Sequence, residues 1–286
     1  LALLARDEDE LERAARDIAS RGAPVLALPC DVRDEAAVAR AVGQAIDDWG
    51  RVDVLINNAG VIQVGPLDHM TTDDFANALA THFWGPLYTT LAALPHMRRQ
   101  GGGRIVNISS IGGKVAVPHL LPYSASKFAL VGLSDGLRAE LAAEGIRVTT
   151  VAPGLMRTGS HYNAQFKGQH ARELAWFALF EALPVSSISV ERAARQIVDA
   201  CRRGDPSLTI TLQAQLLAAT NALLPNVGAA LTAAMARFLP GPAGPGGDLA
   251  RTGWESQSAV APSLLTRLAD KATVEYNGMN GHRAPA

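Results

Sequence analysis

At 286 residues, with a formal charge of −1 and a mean hydropathy of +0.09, the chain is long enough for one large α/β domain. The near-neutral balance carries no electrostatic footprint of a nucleic-acid partner, and no apolar run reaches the length of a bilayer span. The two cysteines, Cys30 and Cys201, are far apart and in no C-x-x-C spacing, which argues against a disulfide framework or zinc site and suits a reducing, cytoplasmic setting.

The chain opens on Leu1-Ala2-Leu3-Leu4-Ala5, without a Met, and residues 1–5 read as the middle of a strand. A piece of a longer protein is therefore expected. Residues 7–21 read as a helix, with Leu11, Ala14, Ala15 and Ile18 at helical spacing. A strand follows over 25–29, then a helix capped by Asp34 and running to Trp49, then a strand over 52–57 that ends in Asn57-Asn58-Ala59-Gly60. A long helix is predicted from Thr71 or Thr72 to Arg99, a strand over 104–109, and a helix from Pro122 to Ala143. A strand over 147–151 closes on Pro153-Gly154; a helix over 190–203 and a strand over 207–211 complete the pattern. Short apolar strands alternating with helices predict a doubly wound parallel sheet over residues 1–211.

The tail, residues 212–286, reads as a C-terminal extension. No charged side chain occurs from Pro206 to Ala236, and Pro225 splits that stretch into two helical pieces. Three readings stand open: buried helices that complete the fold or a dimer interface, a peripheral membrane contact, or a wall of the substrate pocket. The absence of Lys and Arg weighs against the membrane. Residues 240–247 read as a loop rich in Pro and Gly, and 262–274 as a region holding one more short helix.

The chemistry concentrates on Ser110, Tyr123 and Lys127. Ser110 ends a buried strand, and Tyr123 and Lys127, four positions apart, share one helix face. An ammonium beside a phenol favours the phenolate, and a neighbouring hydroxyl can hold a carbonyl or alcohol oxygen against it, so the set is a proton-transfer device. In open parallel sheets ligands bind beyond the carboxyl ends of the strands, where Arg6, Asp31, Asn58, Ser110 and Pro153 all fall. Two other motifs carry no function here. Gly132-Leu133-Ser134-Asp135-Gly136 matches the nucleophile-elbow pattern but lies within a helix, and Asn107-Ile108-Ser109 matches a glycosylation acceptor but lies within a buried strand. No His pair has metal-ligand spacing, so no metal site is expected.

These residues, together with Asp31-Val32, Asn57-Asn58-Ala59-Gly60 and Pro153-Gly154 followed by Thr158, resemble the short-chain dehydrogenase/reductase family over about residues 1–211. The resemblance implies a Rossmann-like fold and a homo-oligomer. It implies Tyr123 as general acid/base, Ser110 as the substrate-orienting hydroxyl, and Lys127 as both the tuner of Tyr123 and a ligand of the nicotinamide ribose. Adenine falls to Asp31 and Val32, the adenosine ribose to Asn58, Ala59 and Gly60, and the nicotinamide to Pro153, Gly154 and Thr158. The family's first strand and its glycine-rich phosphate loop have no counterpart in the sequence. The frame Thr81-His82-Phe83-Trp84-Gly85 puts His82 where the family often has an Asn that holds a relay water, so His82 is expected in the relay or as a satisfied helix histidine. Ala5 and Arg6 stand where NAD-specific sites offer an acid, and a guanidinium suits a 2′-phosphate, so NADP is expected over NAD. Aromatic and apolar residues over 159–184, the substrate-lid region, suggest either an apolar substrate or core packing. The function expected is the NADP-dependent interconversion of an alcohol and a ketone or aldehyde. The alternatives are an epimerase or dehydratase using hydride transiently, and a cofactor-sensing or scaffold protein on the same fold.

Overall fold

The computed structural model describes residues 1–182 and 187–276, so residues 183–184 of the expected lid and 277–286 of the tail lie outside the described residues. The first half alternates as expected: β1 (Ala2–Ala5), α1 (Glu8–Ser20), β2 (Leu26–Pro29), α2 (Glu35–Trp49), β3 (Val54–Asn57) and β4 (Gln63–Val64). Asp7 and Asp34 cap α1 and α2 by accepting backbone N–H bonds from the first turn. The predicted long helix is interrupted. α3 (Thr72–Leu79) passes through a π turn at Ala80–Trp84 into α4 (Gly85–Arg99). Pro86 lacks the N–H that would bond the His82 carbonyl, and the Gly85 N–H reaches back to Ala80 instead, which is the wider π spacing.

The second half continues with β5 (Gly103–Ile108), α5 (Leu121–Leu141), β6 (Ile146–Pro153), β7 (Leu155–Arg157), α6 (Ser160–Asn163), β8 (Gln165–Phe166) and α7 (His170–Ala182). Then come β9 (Ser187–Ser189), α8 (Val190–Arg203), β10 (Ser207–Ile210), α9 (Leu212–Leu223), α10 (Pro225–Ala236), β11 (Arg251–Thr252) and α11 (Arg267–Glu275).

The parallel sheet stands in two pieces. Strands β10, β6, β5 and β3 form one in that order, and β1 pairs with β2 in the other. The edges of β1 and β3 face one another across a cleft of about 1240 Å³ lined by both strands. Strands of parallel sheets are usually covered on both faces; here Val54 and Ile56 of β3 are 43 % and 48 % exposed. The two faces of the larger sheet carry separate cores. On one, Ile105 and Val148 pack with Val38, Met97 and Leu141; on the other, Val106 and Val151 pack with Ala193, Cys201 and Ile210.

The tail is stitched onto the first half. β11 adds antiparallel to β8, which also pairs with β4. The 240–247 loop is pinned by His69, whose Nε2 accepts from Ala243 N at 2.9 Å and whose Nδ1 lies 2.7 Å from Asp248. Burial of the uncharged stretch within the fold does not hold. Ala214 alone of α9 and Gly228 alone of α10 are buried, while Leu212, Leu216, Leu223 and Leu224 are more than half exposed. Lack of charge marks a stretch that tolerates burial; it does not supply a partner surface within the same chain.

Candidate active site

Strand ends set the site. β5 delivers Ser109 and Ser110 with divided roles. The Ser109 hydroxyl turns inward and donates to the Lys127 carbonyl at 3.0 Å, whereas the Ser110 hydroxyl accepts from Gly112 N at 3.0 Å. Gly112 is where Ser110 and Tyr123 converge: a Cβ there would lie 3.2 Å from the Tyr123 ring and 3.5 Å from Ser110 Oγ. α5 opens at Leu121 with Pro122 in its first turn, which brings Tyr123 and Lys127 round onto the Ser110 side. Gly113 must remain glycine, since a Cβ would come within 2.5 Å of Ser109 Oγ and 2.6 Å of the Lys127 carbonyl.

The electrostatics of the pair differ from the sequence expectation. Burial pushes the Tyr123 phenol above its ordinary value, and the Ser110 hydroxyl pulls it part of the way back. Lys127 does not bring the phenol down. Its ammonium lies 5.6 Å from the ring centroid and donates to the Ile108 carbonyl at 2.8 Å. Burial drives Lys127 itself down to about 7. Desolvation acts on both groups and outweighs their mutual effect, so each is shifted towards its neutral form.

His82 is satisfied on both sides. Its Nε2 accepts from Val61 N at 3.0 Å, and its Nδ1 lies 2.7 Å from Ser126 Oγ, whose hydroxyl donates to the Tyr123 carbonyl at 2.8 Å. The first bond fixes Nε2 as the acceptor and leaves the proton on Nδ1. Burial, and then the Lys127 charge, hold the imidazole down to about 2, so it stays neutral. With both ring nitrogens bonded to the protein, His82 braces the site. It joins the turn after β3 to the first turn of α5, with its ring edge-on to Tyr123 at 5.4 Å. Gly60 lies against it, where a Cβ would sit 3.3 Å from Nε2. The π turn sets this arrangement up by displacing His82 from the regular helical register.

The residues assigned to the adenosine half share the β1–β3 cleft. Arg6, Asp31, Val32, Asn58, Ala59 and Gly60 all line it. Asp31 is held by Arg33, whose guanidinium grips both carboxylate oxygens at 2.6–3.0 Å, and this hydrogen bonding keeps the carboxyl below its usual range. Arg6 is exposed. The residues assigned to the nicotinamide half end β6 and β7. Pro153 closes β6 in register with Ile210, and a Cβ on Gly154 would approach Thr211 Oγ1 to 2.6 Å. Thr158 follows β7 and is held by Glu181, which accepts from its backbone N–H at 3.1 Å. Around the β1–β3 cleft Asn58 offers a polar side chain suited to a ribose and Arg6 a cation, but the β1–α1 turn, Arg6-Asp7, holds no glycine that would let the backbone cradle a pyrophosphate. Lys127 keeps two N–H donors beyond its bond to Ile108.

Sequence reading missed a buried network that joins the strand ends. Asn57 Nδ2 donates to Asn107 Oδ1 at 2.8 Å, Asn107 Nδ2 donates to Ser134 Oγ at 2.8 Å, and Thr89 Oγ1 donates to Asn57 Oδ1 at 2.6 Å. The signal was present: an Asn within each of two apolar strands must find a partner or pay desolvation. Ser134, the centre of the elbow-like motif, is spent here and donates to the Leu130 carbonyl. In the lid region Tyr162, Phe166, Leu174 and Phe177 are buried, and Tyr123 packs against the cluster holding the last three.

The short chain dehydrogenase family model matches residues 1–167. The oxidoreductase SadH of Mycobacterium tuberculosis, a protein whose name is qualified as putative, is 32 % identical over 243 residues, 84 % of this chain and 87 % of that protein. The Anopheles gambiae "Dehydrogenase/reductase SDR family protein 7-like" is 37 % identical over 169 residues, and the Salmonella typhimurium oxidoreductase UcpA 41 % over 151. Those matches cover 57 % and 52 % of this chain but only 53 % and 57 % of the relatives, so the chain spans about half the length of these curated relatives. Among solved structures, a short-chain dehydrogenase from Streptomyces avermitilis superposes with a TM-score of 0.65 at 32 % identity, over 81 % of this chain and 86 % of that one. A gluconate 5-dehydrogenase from Burkholderia cenocepacia, in complex with NADP and tartrate, gives 0.63 at 25 % identity, over 73 % and 82 %. On its family-model match, its relatives and its fold, the chain belongs to the short-chain dehydrogenase/reductase family.

Proposed function

We propose that this protein is an NADP-dependent oxidoreductase that reduces a ketone or aldehyde to an alcohol and runs the reverse reaction. The observation that carries this reading is the convergence of Ser110, Tyr123 and Lys127 at one strand end, with Tyr123 raised and Lys127 lowered in pKa. A phenol above its ordinary value is protonated at neutral pH and stands ready as a general acid. A carbonyl oxygen lodged against Ser110 Oγ and Tyr123 Oη would accept from both hydroxyls. The Tyr123 proton then moves to that oxygen as negative charge develops on it, and the buried Lys127 ammonium offsets the charge left on the phenolate. The bound nicotinamide supplies or takes up the hydride.

Arg6 supports the choice of NADP: it lines the cleft, is exposed, and its guanidinium suits a 2′-phosphate. The apolar cluster against Tyr123 supports a substrate with an apolar body. The test is NADPH oxidation over a panel of ketones and aldehydes, with Tyr123→Phe as control. Loss of turnover by about 10²-fold or more is expected for the variant. A Tyr123→Phe enzyme that keeps most of its turnover would sink the mechanism.

A further inference from the structure

Residues of α6, α7 and α11 form a second buried titratable cluster, apart from Tyr123. Glu181 of α7 is 1 % exposed and His161 of α6 is fully buried. Glu181 Oε1 accepts from Thr158 N at 3.1 Å and Gly159 N at 3.2 Å, and Oε2 lies 3.0 Å from His161 Nδ1. The other ring nitrogen, Nε2, faces Asp270 of α11 at 3.5 Å. Asp270 in turn accepts from Tyr162 Oη at 2.8 Å and Thr266 Oγ1 at 2.7 Å.

The chain of contacts therefore runs from the C-terminal helix to the turn that carries Thr158. Two further contacts seal it. Tyr162 stacks on Trp254 of the tail at 4.3 Å and 17°. Gly159, at φ +75, lies so close to Thr273 of α11 that any Cβ would overlap it.

A buried imidazole between two carboxylates is stable in one charge state. Burial alone would push His161 down, but the hydrogen bonds and charges of Asp270 and Glu181 together raise it to about 9. At neutral pH it is an imidazolium, and both its N–H groups are donors. Neutralising Asp270 removes one of the two charges that keep it so, and with it the carboxylate that ties the ring to α11, while Nδ1–H still donates to Glu181. Among the described residues, the ionisable groups that face this ring are Glu181 from α7, Asp270 from α11 and the neighbouring Tyr162.

We infer that Glu181, His161 and Asp270 form a positioning relay through which the C-terminal helix sets Thr158 for the nicotinamide half of the cofactor. The inference rests on the oxidoreductase reading, in which Thr158 meets the nicotinamide. It makes the tail part of the active-site framework, beyond the segment matched by the family model.

Two measurements on the full chain test it. The first needs no cofactor: amide hydrogen exchange at Thr158 and Gly159 in the wild type and in Asp270→Asn. These two amides are expected to exchange about tenfold faster or more in the variant, as the buried ion pair of His161 with Asp270 is lost, while the β5 and β6 amides hold. Unchanged protection at Thr158 and Gly159 overturns the relay. The second is NADPH binding by fluorescence across pH. Beyond any change near pH 7 as Lys127 loses its proton, wild-type affinity is expected to weaken again through pH 9 as His161 loses its proton. In His161→Gln affinity is expected to be several-fold weaker, with that inflection gone, and KM for NADPH to move more than kcat. An inflection near pH 9 that persists in His161→Gln also overturns the relay. A wild type that protects both amides but binds no NADPH refutes the oxidoreductase reading and the relay's link to a cofactor, while leaving the coupling of α11 to Thr158 standing.

Discussion

If His82 is a neutral brace, stability must fall in acid by an amount the structure fixes. The unfolded chain binds a proton on His82 near pH 6.5, whereas the folded chain resists it down to about 2. A group whose folded pKa is depressed below its unfolded value makes the folded state lose ground as pH falls through the unfolded value. Each pH unit below 6.5 costs about 1.4 kcal/mol, so the penalty reaches about 2 kcal/mol at pH 5. His161 does not blur this window, because with a folded value near 9 it is protonated in both states below pH 6.5. The comparison is wild type against His82→Asn, unfolded in urea at pH 7, 6 and 5. At pH 7 the variant should be less stable by about 1–3 kcal/mol, having lost bonds to Val61 and Ser126. Between pH 6.5 and 5 the gap should close by about 2 kcal/mol, since the variant has no imidazole to protonate. A gap that stays constant with pH would show that His82 protonates in place, and the brace would be wrong.

Lys127→Met removes a buried ammonium that burial has driven down to about 7, so the variant should gain stability, by up to a few kcal/mol at pH 7, while losing turnover; a lower Tm would contradict this. Reductive kcat/KM should fall as pH rises through about 7, where Lys127 loses its proton, and Lys127→Arg should flatten any residual profile; an inflection confined to about pH 10 would assign the titration to an ordinary phenol. Arg6→Asp should shift cofactor preference from NADP towards NAD by about tenfold or more, read as the ratio of kcat/KM values; an unchanged ratio would show that the 2′-phosphate is met elsewhere.

Element order was legible because it rests on local patterns. The capping aspartates Asp7 and Asp34, the glycine turns and the Val/Ile-rich strands are short-range signals, and each falls within a few residues of its predicted place. The π turn was half legible: Gly85-Pro86 stands in the sequence, but a proline in a helix pattern can kink, end or widen the helix, and the outcome depends on what packs there. The exposure of Leu212 and Leu216 was illegible for a different reason. Periodicity says that a face is apolar and leaves open what covers it. At the site, the cluster of Ser110, Tyr123 and Lys127 was readable from spacing. The satisfaction of His82 by Val61 and Ser126 was not, because those partners lie 21 and 44 positions away. The same holds for His161, whose partners Glu181 and Asp270 come from two different helices.

Tyr123, Lys127 and His82, the titratable groups around the strand end, are all displaced by the same cause, and under the proposed function that decides which proton is held ready for the first step. Desolvation raises Tyr123, lowers Lys127 and lowers His82. At neutral pH the phenol therefore keeps its proton, the imidazole carries none to give up, and Lys127 alone titrates near working conditions. A site in which an ammonium had pulled the phenol down to pH 7 would act most readily as a base and favour alcohol oxidation. Under the proposed function, the acid form of Tyr123 dominates at neutral pH, so its first step in reduction would be donation to a carbonyl oxygen. The Lys127 charge is then needed most after that step, when the phenolate stands alone in a dry pocket and a nearby cation is worth far more than it would be in water.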